Sequence, residues 1–424
     1  MEKIVIDGGE KLRGKVEISG MKNAAVAVVL ATVIADDVCT IENLPQISDV
    51  KLSLQMLEKL GAGIKYLSKD TVEIDTRSIR STSVPAELAG KMRASYYLAG
   101  ALLARFGRAK VGLPGGCDFG VRPIDQHIKA FESLGAHVTL SDMWLEVEAE
   151  DGVHNSSIFF DCVTVGATIN AIIAAVLAEG TTVIENAARE PHIVDLANFL
   201  NYCGASISGA GTDVIKINGV KSLHGCTYTI IPDMIEAGTF MIAAAATGGD
   251  LYISNVIPKH LEAISAKIYE MGSEVEEFDD AVRVSREGPI LRANVKTLPY
   301  PGFPTDMNPQ IATLMCLAPG ESRLTETIWD GRFRYVEELK RMGANIRVEG
   351  KQAIIEGIGG FTPANVRAVD LRAGAAMIIA GLACNGRTEI EDIHYIERGY
   401  DDIVSKLRSV GAKIRKIEIP SGLT

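Results

Sequence analysis

The sequence predicts an α/β protein of two similar domains, built from six repeats of about 70 residues, three per domain, with helices buried and sheets outside. Three observations carry that reading. The first is a recurring signature: an apolar helical end, a glycine, a small residue and a β-forming residue. It is spelled LEKLGAGI, FESLGAHV, LNYCGASI, IYEMGSEV, LKRMGANI and LRSVGAKI. The glycines are Gly61, Gly135, Gly204, Gly272, Gly343 and Gly411, spaced 74, 69, 68, 71 and 68 residues apart. The second is an Ala-rich segment that runs through a polar or Gly turn into a short strand, as in NAAVAVVLATVIADDVCTIEN and NAIIAAVLAEGTTVIEN. The third is a contrast in patterning between the two helices of each unit.

One unit therefore reads helix, strand, loop, helix, glycine turn, strand. The first helices are apolar nearly all round, which predicts burial on every side. The second are amphipathic. In the first unit Leu52, Met56, Leu57 and Leu60 are expected to share a face, with Lys51, Glu58 and Lys59 elsewhere. The glycine after each second helix fits a left-handed C-cap. Buried helices with half-buried sheets outside reverse the layering of doubly wound folds. Six units divide three and three, with the boundary expected at 215–231.

Composition narrows the function. The 424 residues hold 43 Lys and Arg against 54 Asp and Glu, a net charge of −11, which argues against a nucleic-acid partner. The longest apolar stretch, 24–35, is far shorter than the roughly 20 residues a membrane-spanning helix needs, so no membrane insertion is expected. The start, MEKIVID, lacks the basic and apolar regions of a signal peptide. Seven cysteines (39, 117, 162, 203, 226, 316 and 384) occur singly, which suggests reduced thiols and a cytoplasmic protein. Seven histidines without an HxxxH pair give no zinc site, and no metal or cofactor is expected. Gly9, Gly14 and Lys15 imitate the start of a P-loop. Val16 stands where Ser or Thr is required, and Val16-Glu17-Ile18 alternates like a strand.

Several motifs, SGMKNAA (19–25), MRAS (92–95), LPGGCDFGVRPIDQH (113–127), VGAT (165–168), FPTDM (303–307), DLRAGAA (370–376) and ERGY (397–400), resemble those of the enolpyruvyl transferases, and the likeness runs end to end. The PGSKS and GNAGT motifs of the shikimate-pathway branch are missing, which points to a sugar-nucleotide acceptor. The resemblance implies a two-domain inside-out α/β barrel, with residues 22–230 as the N-terminal domain and 1–21 plus 231–424 as the C-terminal one. It also implies an active site in the cleft between them and a monomer. The implied reaction adds the 3′-hydroxyl of UDP-N-acetylglucosamine to C2 of phosphoenolpyruvate and eliminates phosphate, the first committed step of peptidoglycan synthesis.

That chemistry must hold several negative charges, protonate C3 of the enol and deprotonate an alcohol. Candidate cations are Lys22, Arg93, Arg122, Arg332, Arg372 and Arg398, since guanidinium and ammonium groups suit carboxylate and phosphate. By resemblance Lys22, Asn23, Arg372 and Arg398 serve phosphoenolpyruvate. Arg93, Arg122, Pro123, Ile124, Asp125 and Gln126 serve the sugar nucleotide, joined by Val165, Gly166 and Ile328, the last through its backbone. Cys117, in a glycine-rich loop between a strand at 110–113 and a helix expected near Pro123, is the implied general acid, a thiol activated by neighbouring cations. It is also the implied target of fosfomycin. Asp306, the carboxylate of FPTDM, is the candidate base; it could also cap the helix expected near Asn308. Catalysis is thus assigned to Cys117, Asp306, Lys22 and Arg398. Asp370, Glu190 and Asp233 are expected to support the site through ion pairs. Cys39, Cys203, Cys226, Cys316 and Cys384 read as buried structural thiols. Cys162, where some members have lysine, offers a second reactive thiol. Gln126 stands where leucine is expected, a silent change if only the backbone meets the ligand.

Overall fold

The computed structural model describes residues 2–113 and 124–418. They group into two compact units: Gly20–Ile231, and a second made of the residues up to Ser19 together with those from Pro232 onward. Gly20, Met21 and Ile231, placed with the C-terminal domain from the sequence, group instead with the central unit.

In the central unit the helices are α1 (Lys22–Ala31), α2 (Ser48–Leu60), α3 (Ala86–Ala89), α4 (Tyr97–Phe106), α5 (Asp125–Ser133), α6 (Val165–Ala175) and α7 (Pro191–Tyr202). Residues Ala24 to Ala31 of α1 and Ala167 to Ala175 of α6 are all buried. The helix α1 packs on α2, α4 and α7, and α4 on α6. The apolar face of α2 is set differently from the expectation. Val50, Leu54, Met56, Leu57 and Leu60 are buried, whereas Leu52 is only half-buried. Three four-stranded sheets cover these helices. One runs Thr227–Thr229, Val38–Glu42, Val72–Asp75, Gly63–Tyr66; its edge strand therefore comes from the far end of the unit.

The second unit holds α8 (Met234–Thr247), α9 (Pro258–Glu270), α10 (Asn308–Cys316), α11 (Val336–Arg341), α12 (Leu371–Ala383) and α13 (Ile403–Ser409). Its buried helices α8, α10 and α12 pack on one another. Two of its three sheets borrow N-terminal strands. Arg13–Glu17 pairs in parallel with Asp250–Ser254, and Glu2–Gly8 lies antiparallel between Gly386–Glu391 and Lys413–Glu418.

All six sheets share one strand pattern: a short edge strand parallel to its neighbour, then two antiparallel pairings. Among the described residues they are separate open sheets, not a closed barrel. Closure would need partners on both sides of every strand, and each sheet ends on an edge strand.

The six signature glycines have φ between 89° and 111°, the left-handed region that side chains with a Cβ avoid. At Gly61 the cap is explicit: its N–H donates to the Leu57 and Glu58 carbonyls, and that of Ala62 to Leu57. A Cβ on Gly343 would meet only Thr362 Oγ1, at 3.4 Å, whereas one on Gly61 would lie 2.9 Å from the Ser78 carbonyl oxygen. Gly343→Ala is therefore expected to cost about 1 kcal/mol, the backbone term alone, and Gly61→Ala more. Urea midpoints check this; a Gly343→Ala variant as stable as the parent would contradict it.

Candidate functional site

In the second unit the candidate residues gather around Asp306. It lies in the 3-10 turn Thr305–Met307, directly before α10. The N-cap residue of that helix is Met307, and the Asp306 side chain meets two guanidinium groups. Arg332 Nη2 donates to Oδ1 at 3.1 Å and to the Thr305 carbonyl at 3.0 Å. Arg372 donates to Oδ2 from Nε at 3.2 Å and Nη2 at 3.1 Å. Both arginines are buried, 6% and 4% exposed, so the pairing carboxylate offsets a desolvation cost of several kcal/mol. Burial alone would lower the Arg372 pKa, but Asp306, Tyr400 and Asp233 together outweigh it and hold it above its ordinary value. The Arg372 guanidinium also lies 5.4 Å from the ring centroid of Tyr400.

Glu326 fixes the loop that carries Asp306, and the sequence reading missed it. It is 1% exposed. Oε1 accepts from Thr297 Oγ1 (2.9 Å) and from the N–H groups of Ile328 (2.8 Å) and Trp329 (3.1 Å). Oε2 accepts from Thr305 Oγ1 (3.0 Å) and Asn308 Nδ2 (2.8 Å). The Ile328 N–H is thus occupied, which leaves its carbonyl for a ligand.

Asp370 and Asp233 each cap a buried helix. Asp370 caps α12 by accepting from the N–H groups of Arg372 and Ala373, and its buried Oδ2 has no hydrogen-bond partner among the described residues. Asp233 caps α8 through the N–H groups of Ile235 and Glu236. Three residues on, buried Glu236 accepts from Ser19 N–H (2.9 Å) and Lys406 Nζ (2.6 Å). Burial pushes its pKa up to about 7, against the opposing pull of Lys406. Arg398 closes the 3-10 helix Ile393–Arg398 and is half-exposed.

In the central unit Lys22 opens α1, with Asn23 next. Its ammonium lies 3.1 Å from Oδ2 of Asp49, in the first turn of α2. Arg93 begins the 3-10 helix Arg93–Tyr96. Beside it a buried network joins three elements: Asn170 Nδ2 donates to the Tyr96 carbonyl and to His127 Nδ1, both at 2.9 Å, while its Oδ1 accepts from Gly100 N–H. The Asn170 donor assigns the imidazole proton to Nε2. Burial, aided by Arg93, pulls His127 down to about 4, with Asp125 opposing, so the ring is neutral at pH 7. It stands against Gly166, where a Cβ would be 3.0 Å from Nε2. Val165 and Gly166 open α6, whose N-terminus has no side-chain cap. Asp125 begins α5, with Ile124 as its N-cap residue; Glu190 is the N-cap residue of α7. Cys117, Arg122 and Pro123 lie outside the described residues.

Residues 6–407 match the family described as EPSP synthase (3-phosphoshikimate 1-carboxyvinyltransferase). The chain belongs to this family. UDP-N-acetylglucosamine 1-carboxyvinyltransferase 3 of Caldanaerobacter subterraneus subsp. tengcongensis is 57% identical to it, covering 98% of this chain and 100% of its own. The UDP-N-acetylglucosamine 1-carboxyvinyltransferase of Clostridium botulinum has the same identity and coverage. Among solved structures, the enolpyruvyl transferase NikO of Streptomyces tendae superposes with a TM-score of 0.88 at 27% identity, over 99% of both chains. EPSP synthase of Acinetobacter baumannii shares the fold, with a TM-score of 0.76 at 17% identity over 99% of this chain and 100% of its own. The mixed α/β architecture is therefore that of the enolpyruvyl transferases.

Within this family member Gln126 contributes more than backbone. Its Nε2 donates to Asp125 Oδ2 (2.8 Å) and Asp161 Oδ2 (3.0 Å), and its Oε1 accepts from Asp161 N–H (2.9 Å). Lys129 first, then Gln126, holds the Asp161 carboxyl below its ordinary pKa. The side chain thus fastens α5 to the segment carrying exposed Cys162. Gln126→Leu is expected to lower stability by about 1 kcal/mol rather than to be silent; an unchanged urea midpoint would refute this.

Proposed function

We propose that the chain transfers the enolpyruvyl group of phosphoenolpyruvate to the 3′-hydroxyl of UDP-N-acetylglucosamine, the first committed step of peptidoglycan synthesis. The hydroxyl oxygen adds to C2 while C3 takes a proton. The tetrahedral adduct then loses phosphate and a C3 proton. The observation that carries this reading is the carboxylate of Asp306 held between two buried arginines, in a chain 57% identical to enzymes named for this reaction.

Asp306 accepts the hydroxyl proton. While Arg332 and Arg372 hold both its oxygens, its lone pairs are engaged and it is a weak base. An arriving phosphate or carboxylate competes for the same guanidinium groups and makes the carboxylate more basic. Substrate anion therefore prepares the base that deprotonates the attacking hydroxyl. Cys117 supplies the C3 proton. Lys22, Asn23, Arg372 and Arg398 hold phosphoenolpyruvate. Arg93, Arg122, Pro123, Ile124, Asp125, Gln126, Val165 and Gly166 hold the sugar nucleotide, with the Ile328 carbonyl; Asp370 and Asp306 complete the substrate contacts. Neutral His127 adds no charge of its own and fixes the α6 N-terminus, where backbone N–H groups suit an anion.

The shared strand pattern supports six copies of one unit, three per domain, and the reading of residues 22–230 and 1–21 plus 231–424 as domains. The enzyme works as a cytoplasmic monomer without a cofactor; no described helix is long and apolar enough to cross a membrane.

A phosphate-release assay with both substrates, with and without fosfomycin, tests the activity. Release with shikimate 3-phosphate in place of the sugar nucleotide would move the chain to the other branch. Cys117→Asp is expected to keep part of the turnover, because a carboxylic acid can donate the proton, and to escape fosfomycin alkylation altogether. Covalent labelling retained by that variant would reject the thiol assignment.

A further inference from the structure

Three thiols far apart in sequence meet in the central unit. Cys39 sits on the strand Val38–Glu42, Cys203 at the C-cap of α7, and Cys226 directly before the strand Thr227–Thr229. The Cys203 and Cys226 sulfurs are 3.3 Å apart, against roughly 2.05 Å in a disulfide. The backbone around them is pinned. His224 N–H donates to the Cys203 carbonyl and Thr40 N–H to that of Cys226, each at 2.9 Å. Cys39 and Cys203 are fully buried, whereas Cys226 is only half-buried, the most exposed residue of the three.

The three sulfurs are not equivalent. Hydrogen bonds from Cys203 first and Cys39 second, with His224 adding a smaller pull, bring the Cys226 thiol down to about 4. The same contacts, Cys226 first, push Cys203 up. The more exposed of the two thiols is therefore also the more acidic, which favours the form that attacks oxidants, and its partner lies beside it. Among the described residues no group of His, Cys, Asp or Glu is arranged to hold a metal ion, so the cluster offers thiol chemistry instead.

We propose that Cys203 and Cys226 form an oxidation site that reacts with hydroperoxides and closes to a disulfide, with Cys226 as the attacking sulfur. The Cys226 thiolate attacks one peroxide oxygen; the O–O bond breaks, and hydroxide leaves and takes a proton, giving a sulfenic acid and water. The Cys203 sulfur then attacks the sulfenic sulfur, its proton leaves with the hydroxyl group as a second water, and the S–S bond forms. Two thiols and one hydrogen peroxide become one disulfide and two waters. The bond ties the end of α7 to the chain entering the edge strand Thr227–Thr229. Cys39 tunes the pair and is not consumed.

The test is peptide mapping, whose readout does not depend on the enolpyruvyl activity. The full chain is treated with limiting hydrogen peroxide, blocked with iodoacetamide, digested and analysed by mass spectrometry. Most of the oxidised product is expected as a Cys203–Cys226 linked peptide pair, two hydrogens lighter than the reduced pair and cleaved by dithiothreitol. The link persists in Cys39→Ser and Cys162→Ser and is lost in Cys203→Ser and Cys226→Ser. Should a serine variant fail to fold, the wild-type map decides alone. Cys203 and Cys226 both remaining alkylatable while exposed Cys162 is oxidised would overturn the proposal, as would a link from Cys226 to Cys39 in place of Cys203.

Discussion

Replacing Asp306 by asparagine is expected to lower turnover by about 10²–10⁴-fold, the usual worth of a positioned general base. The amide keeps the volume of the carboxylate but loses its basicity. It also leaves Arg332 and Arg372 buried without an anion. Removing one partner of a fully buried pair costs about 3–5 kcal/mol; Asp306 is 29% exposed, so the loss here should stay near the lower bound. Stability and catalysis separate in one experiment. Phosphate release under saturating substrates should collapse at temperatures where the variant is still folded by circular dichroism. An Asp306→Asn enzyme with turnover within a fewfold of the parent would remove this residue from the mechanism.

The second large effect is expected at Glu326. Every hydrogen bond given above for it is one its oxygens accept, so Glu326→Gln must turn an NH₂ group toward existing donors in either amide orientation. On one side it faces the Thr297 hydroxyl and the Ile328 and Trp329 N–H groups; on the other, the Thr305 hydroxyl and the Asn308 amide. Losing two such bonds in a site 1% exposed should cost about 2–4 kcal/mol. The loop carrying Asp306 shifts with them, and a displacement of about 1 Å can cost roughly a hundredfold in rate. Glu326 thus acts through Asp306 and Ile328. Its substitution should raise KM for the sugar nucleotide as well as lower kcat, while Glu326→Asp recovers part of both. A variant with lower melting temperature but unchanged kinetic constants would make Glu326 structural alone.

Much of the fold is readable because its cause is local. A left-handed residue after a helix demands glycine, and Gly61 and Gly411 announce that demand from opposite ends of the chain. Helices such as α8, buried from Met234 to Ala246, spell their surroundings in their own residues. The α2 face was misjudged because Leu52 and Leu54 look alike in sequence, and only packing on α1 decides between them. The charged residues around Asp306 were legible through the family likeness, but their partners were not. Arg332 and Arg372 are named by motifs, whereas nothing adjacent to Glu326, Asp49 or His127 in the sequence says what each will touch. Glu326 directly follows the strand Glu321–Thr325 and could equally have faced water. Pairing between distant carboxylates, amides and thiols is a tertiary property, and Cys39, Cys203 and Cys226 each read as isolated core residues until the fold joins them.

The two strands at Glu2–Gly8 and Arg13–Glu17 precede the central unit in the chain and pair with strands that follow it. Their partners at 250–254, 386–391 and 413–418 emerge from the ribosome only after the whole central unit has been translated. For most of synthesis the leading segment, with apolar Ile4, Val5 and Ile6, has no edge to join. Such a segment is a natural client for a holding chaperone. The central unit can mature before the other, which awaits the strands at 386–391 and 413–418. Bringing the N-terminal strands next to their partners by circular permutation should therefore speed the slower half of folding while leaving the native pairings intact.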